Sequence, residues 1–146
     1  MAALSDYLEN KIVDWLLRGQ AFTPPATVYV ALLTAAPSDT GGGTEVSGGS
    51  YARVAVTSSL ANWAGTQSAG STTASSGTGG TTSNNAAVTF PTPSASWGVV
   101  THAALYDASS SGNLLVWGAL TASKTINNGD AAPRFAAGAL QFQVDK

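Results

Sequence analysis

Two adjacent prolines, Pro24 and Pro25, divide the chain into two parts with different periodicities. Proline fixes φ and has no backbone N–H, so neither a helix nor a central strand runs through the pair. Before it, Leu4, Leu8, Ile12, Trp15 and Leu16 recur at helical spacing, and Val13 and Leu17 widen the stripe. The spacing predicts one amphipathic helix over 3–19. Ser5 is placed to cap its start. Asp6 and Glu9 sit near the positive end of the helix dipole and Arg18 near the negative end. Gly19 suits the left-handed residue that stops a helix. A helix this short is marginal in water by itself, so it docks. Two arrangements fit: it lies on its own sheet, or one edge of the stripe packs there and the other meets a neighbouring subunit.

After the prolines the pattern is one of short strands and turns. Thr27–Thr34 (TVYVALLT) is nearly continuous in β-forming apolar residues and reads as a central strand ended by Pro37. Tyr51–Thr57 alternates, with Val54 and Val56 on one face and Tyr51 and Arg53 on the other. A short strand is expected around Leu60 and Trp63, and another over Ala86–Phe90. Val99–Asp107 and Asn113–Thr121 read as a hairpin joined by Ala-Ser-Ser-Ser-Gly. Lys124–Ile126 leads to a turn at Asn127-Asn128-Gly129-Asp130. Leu140, Phe142 and Val144 alternate with Gln141 and Gln143 in a closing strand. The fold class expected is mainly β: an antiparallel β-sandwich or jelly-roll-like module preceded by one helix. Residues 65–85 (GTQSAGSTTASSGTGGTTSNN) carry no charge and no large apolar side chain, and read as a surface excursion.

The chain length of 146 residues fits a single domain, 1–146. Charged residues make up only 10%, and the net charge is −2. So sparse a charge suits a surface that packs against neighbours. The bases Lys11, Arg18, Arg53, Lys124, Arg134 and Lys146 are scattered, which argues against nucleic acid as a partner. No cysteine is present, which excludes disulfides and thiolate metal sites. Asp6 and Glu9 interrupt any early apolar run, so no secretory signal is expected. No apolar run is long enough to span a bilayer, so membrane insertion is not expected.

Catalytic chemistry finds little support. His102, the sole histidine, sits mid-strand, and Asp107 lies five residues on, expected to face the other side. One histidine without cysteine makes no transition-metal site. Asp39, Asp107 and Asp130 lie at turns but lack the spacing of a calcium loop. No cofactor is expected. The stretch GGGTEVSGGSYARV (41–54) has the glycines of a phosphate cradle, but Gly49 and Ser50 stand where the P-loop lysine and hydroxyl belong, and a strand follows instead of a helix. It reads instead as a glycine-hinged loop that delivers Tyr51 and Arg53 to the start of a strand.

Within residues 32–53, the run LTAAPSDTGGGTEVSGGSYAR resembles a family of small tailed-bacteriophage virion structural proteins, commonly described as tail fibre proteins. The opening LSDYLENKIVDWLLRGQAF, the later SWGVVTHAALYDASSSGNLLVWGAL and the closing strand extend the likeness over most of the chain. The resemblance implies a β-rich, non-enzymatic virion component present in several copies and assembled in the bacterial host cytoplasm. Thr44, Glu45, Tyr51 and Arg53 carry over as a structural loop, with Glu45 and Arg53 paired and Tyr51 as anchor. Leu4, Leu8, Ile12, Trp15 and Leu16 are the assembly helix. Implied partners are further copies of the chain, a trimer being one form, other virion proteins of tail or capsid, and a host surface glycan. A capsid decoration or cement protein is the alternative to a tail fibre. The chain has neither heptads nor a collagen-like repeat, so it reads as a compact knob or short fibre module.

Overall fold

The computed structural model describes residues 2–144. Strand β1 (Ala2–Leu4) precedes helix α1 (Asp6–Leu17). Then come β2 (Thr27–Ala35), β3 (Thr44–Glu45), β4 (Val54–Thr57), β5 (Thr81–Ser83) and β6 (Val88–Thr89). The chain closes with β7 (Gly98–Tyr106), β8 (Leu114–Ile126), β9 (Arg134–Phe135) and β10 (Gln141–Gln143). The fold is mainly β, with antiparallel sheets and a single short helix near its start.

A six-stranded sheet runs in the order β1-β8-β7-β2-β3, and β4 also pairs with β2. β2 is central because its outer edge is shared: Thr27–Val30 pair with β4, while Leu33 and Ala35 pair with β3. The near-continuous apolar run of β2 follows from burial on both faces. Val28, Val30 and Leu32 join Val100, Ala103 and Leu105 of β7 on one face. Over them lie Val88, Phe90, Leu140 and Phe142, brought by two small ribbons, β10-β5 and β6-β9. The second layer of the expected sandwich is thus a pair of ribbons, not a continuous sheet. On the opposite face Ala31, Leu33, Ala104, Tyr106 and Leu114 form a thinner cluster with Tyr29 and Trp117.

Several expectations shift. Leu4 belongs to β1, not to the helix: Ala2–Leu4 pair with Gly118–Val116 at the sheet edge. The extended backbone of Ser5 (φ −82°, ψ 155°) separates the two elements, and its hydroxyl accepts the Leu8 N–H. Gly19 adopts φ +67° past the helix end. Leu60 and Trp63 form turns with an isolated bridge from Trp63 to Asn84, so no strand forms there. Tyr51 and Arg53 precede β4 instead of lying within it. Lys124–Ile126 belong to β8 itself.

The excursion ends earlier than its composition suggests. β5 pairs with β10, and Asn84 is only 1% exposed. The Asn84 side chain donates to the carbonyls of Ala86 and Ala136 and accepts from the Leu140 N–H, each within 2.9 Å. Residues 81–85 are therefore built into the body. Within 65–80 the loop is organised by Gln67, whose amide nitrogen donates to Ser71, Thr73 and Ala74 and whose oxygen accepts the Ser76 N–H.

Candidate functional site

The glycine-rich stretch folds as two hinges around β3. Gly41, Gly42 and Gly43 have φ of 104°, 80° and 76°, and Gly48, Gly49 and Ser50 have 72°, 55° and 64°. L-residues with a Cβ adopt this region at a cost, and glycine does not. At Gly49 space is tight as well: a Cβ there would lie 2.9 Å from Trp97 Nε1 and 3.1 Å from the Ala95 backbone. The close approach lets the Trp97 indole donate to the Gly49 carbonyl at 2.9 Å.

The second hinge delivers Tyr51 and Arg53 to Glu45. Tyr51 enters the gap between β3 and β4 on the outer edge of β2. Its hydroxyl accepts the Leu32 N–H at 2.9 Å, where no strand supplies a carbonyl, and donates to Glu45 Oε1 at 2.9 Å. The ring stacks on Phe90 and meets Trp97 edge-on, with centroids 6.2 and 5.3 Å apart. Arg53 grips Glu45 with both sides of its fork, Nε to Oε1 at 2.8 Å and Nη2 to Oε2 at 2.7 Å. Its Nη1 donates to the carbonyls of Ala108 and Ser111, both at 2.8 Å. The guanidinium lies 3.6 Å from the centroid of the Tyr106 ring.

One hydrogen-bonded chain thus ties β2, β3, the start of β4 and the β7–β8 loop. That loop is preformed: Asp107 accepts from the Asn113 N–H and side-chain amide, both at 2.7 Å, and Gly112 has φ +74°. Bidentate, charge-assisted bonds are the stronger class, and the planar guanidinium suits them. The Arg53 side chain is 6% exposed and that of Glu45 27%. Burial, then the Glu45 charge and hydrogen bond, push the Tyr51 phenol well above its usual range, against the opposing Leu32 bond and Arg53 charge. Burial alone would lower the Arg53 pKa, but the hydrogen bond and charge of Glu45 outweigh it and raise it. Burial and the Glu45 charge raise Tyr106 despite Arg53. Four hydrogen bonds from the guanidinium go to protein oxygens, two on Glu45 and two on the β7–β8 loop.

Thr44 lies in β3, but its side chain is outside this chain of bonds; its carbonyl accepts from the Thr34 hydroxyl at 3.3 Å. Sequence reasoning missed Leu32, Tyr106, Ala108 and Ser111. Three of these act through backbone atoms, which leave no side-chain signature. His102 pairs with the Thr101 hydroxyl at 2.8 Å and lies beside Trp117. Asp107 is engaged with Asn113, and Asp130 accepts the Asn127 N–H at 2.7 Å. Among the described residues no three metal-ligating side chains cluster.

The helix is the other candidate surface. Tyr7 and Leu8 pack against the main core, and Ile12 is half-buried. Trp15 is 58% exposed, Leu16 65% and Leu17 76%, with Val13 beside them also exposed. No helix residue is fully buried. The assembly residues therefore divide: Leu8 faces its own core, Leu4 is in the edge strand, and Trp15 and Leu16 face outward. No helix among the described residues is long and apolar enough to cross a membrane.

No curated protein matches this chain. A family model described as podophage GP4 fiber I protein gp80 matches residues 3–143. The match spans the exposed helix, the Glu45–Tyr51–Arg53 clasp and both ribbons, so the chain belongs to this family of phage fibre proteins and is a structural component of a virion.

Proposed function

We propose that this chain is an assembling module of a phage tail fibre, which joins its own copies through the exposed apolar face of α1. The observation that carries the reading is the helix itself. Trp15, Leu16 and Leu17 project apolar surface while the helix is held to its module mainly at its N-terminal end. Contiguous apolar patches of this kind on a folded chain mark interaction sites. A chain with only 10% charged residues gives little repulsion between copies. The family description as a fibre protein supports this reading over a capsid decoration protein. The clasp serves assembly indirectly, by fixing the end of the sheet. The hydroxyl- and amide-rich excursion at 65–80 is the face offered to a host glycan.

Light scattering coupled to size exclusion tests the helix contact. The wild-type mass is expected at a multiple of 14.6 kDa, and the double variant Trp15→Glu, Leu16→Glu at a smaller multiple with unchanged circular dichroism. An equal mass for both proteins contradicts the proposal.

A further inference from the structure

The outward face of α1 is acidic as well as apolar. Asp6, Glu9, Val13, Leu16 and Leu17 follow one another at three- and four-residue steps, so they share one face. All five are exposed. Lys11 and Arg18 line up at the same steps with Trp15 on a different face, so no base lies among the five. The face is thus acidic towards the start of the helix and apolar towards its end.

A pocket of complementary character lies by the far end of β8. The β7–β8 register shifts between His102↔Ala119 and Val100↔Lys124, so Leu120–Ser123 leave the ladder. Next to this break is a cavity of about 220 Å³, lined by the buried Leu32, Phe90, Val100 and Ile126 and the half-buried Leu120 and Phe135. Lys124 and Arg134 also line it, and both are exposed. Among the described residues neither has an acidic partner, since the ion pairs are Arg18–Asp14 and Arg53–Glu45. A dry apolar cavity of about 150 Å³ accepts a benzene ring, so this one has room for a leucine side chain.

We propose that this pocket receives α1 of a second copy. Leu16 enters the cavity between Val13 and Leu17, Asp6 and Glu9 face Lys124 and Arg134, and Trp15 lies at the edge of the contact. The proposal rests on the self-assembly reading above and names the surface that the helix meets. Two features favour a second copy as the occupant. The charges on the two surfaces are opposite in sign, which aligns the partners and disfavours other registers. Within one chain, α1 is tied to the start of β8, where the Ser5 N–H donates to the Leu115 carbonyl, while the pocket lies by Lys124 and Ile126 at its end. Two unlike surfaces at opposite ends of a strand make a heterologous, head-to-tail contact, which closes into a ring or runs on as a filament.

A head-to-tail contact has a specific signature on mixing. Lys124→Glu, Arg134→Glu changes only exposed side chains, so its circular dichroism should match wild type while its mass falls to 14.6 kDa. The helix variant Trp15→Glu, Leu16→Glu should fall likewise. An equimolar mixture of the two should form a dimer of twice 14.6 kDa, because one chain keeps an intact helix and the other an intact pocket. The remaining helix and pocket in that dimer both carry glutamates, so growth stops there. A pocket variant that keeps wild-type mass while the helix variant falls overturns the pocket and leaves the helix reading standing. Two monomeric variants that stay monomeric when mixed also overturn the head-to-tail contact. A helix variant that keeps wild-type mass overturns both readings.

Discussion

Arg53→Ala is expected to be among the more damaging single substitutions outside the apolar core. It removes two bonds to Glu45, two to the β7–β8 loop, and the cation over Tyr106. Removing one partner of a buried ion pair costs about 3–5 kcal/mol, because the other charge is left without compensation. Glu45 retains 27% side-chain exposure, so water partly solvates it and the cost belongs near the lower end. A loss of about 3 kcal/mol at roughly 4 °C per kcal/mol for a chain of this size gives a fall in Tm of about 12 °C. Thermal melts followed by far-UV circular dichroism read this directly. A double-mutant cycle with Glu45→Gln isolates the pair, with an expected coupling of about 2 kcal/mol. Arg53→Lys should recover only part of the loss, since an ammonium does not reproduce the fork or the stacking. If Arg53→Ala lowers Tm by less than about 2 °C, the clasp does not hold this end of the sheet.

Three further variants, at Tyr51, Gly49 and Gln67, each have an expected outcome. Tyr51→Phe leaves the Leu32 N–H without its acceptor and should cost about 1–3 kcal/mol in urea unfolding. The folded Tyr51 pKa lies above its ordinary value of 10.0, so the unfolded chain releases that proton first and stability should fall as pH rises past about 10; Tyr51→Phe should flatten that decline between pH 9 and 11. Gly49→Ala combines φ +55° with contact against Trp97 and should destabilise by about 1–3 kcal/mol, visible in Tm and in the indole fluorescence of Trp97. Gln67→Ala should speed amide hydrogen exchange across 65–77 while global Tm changes by less than about 2 °C, since those bonds lie in an exposed loop.

The sequence was most legible where one physical signal dominated. The near-continuous run of β-forming apolar residues in TVYVALLT marked the central strand, and the glycines around β3 marked its hinges. Thr44, Glu45, Tyr51 and Arg53 were named together, and the structure brings side-chain atoms of Tyr51 and Arg53 within 2.9 Å of the Glu45 carboxylate while leaving the Thr44 side chain out. The receptor for Arg53 was not legible, because carbonyls of Ala108 and Ser111 carry no residue-type signal. Leu4 fitted the helical period yet belongs to β1, because two or three residues cannot distinguish an edge strand from a first turn. Asn84 looked like part of a polar tract. Its burial depends on partners at 86, 136 and 140, which only the closed fold assembles. The break in register at Leu120–Ser123 was also hidden, since LTASKT reads equally as a strand end or a linker.

The central claim is that this chain builds a phage fibre from copies of itself. A cryo-electron microscopy map of the virion, with this fold fitted into its density, tests it most directly. Several copies are expected in each tail fibre, with Trp15 and Leu16 of α1 buried between copies. Isolated single copies on the capsid surface, with α1 facing solvent, would contradict it.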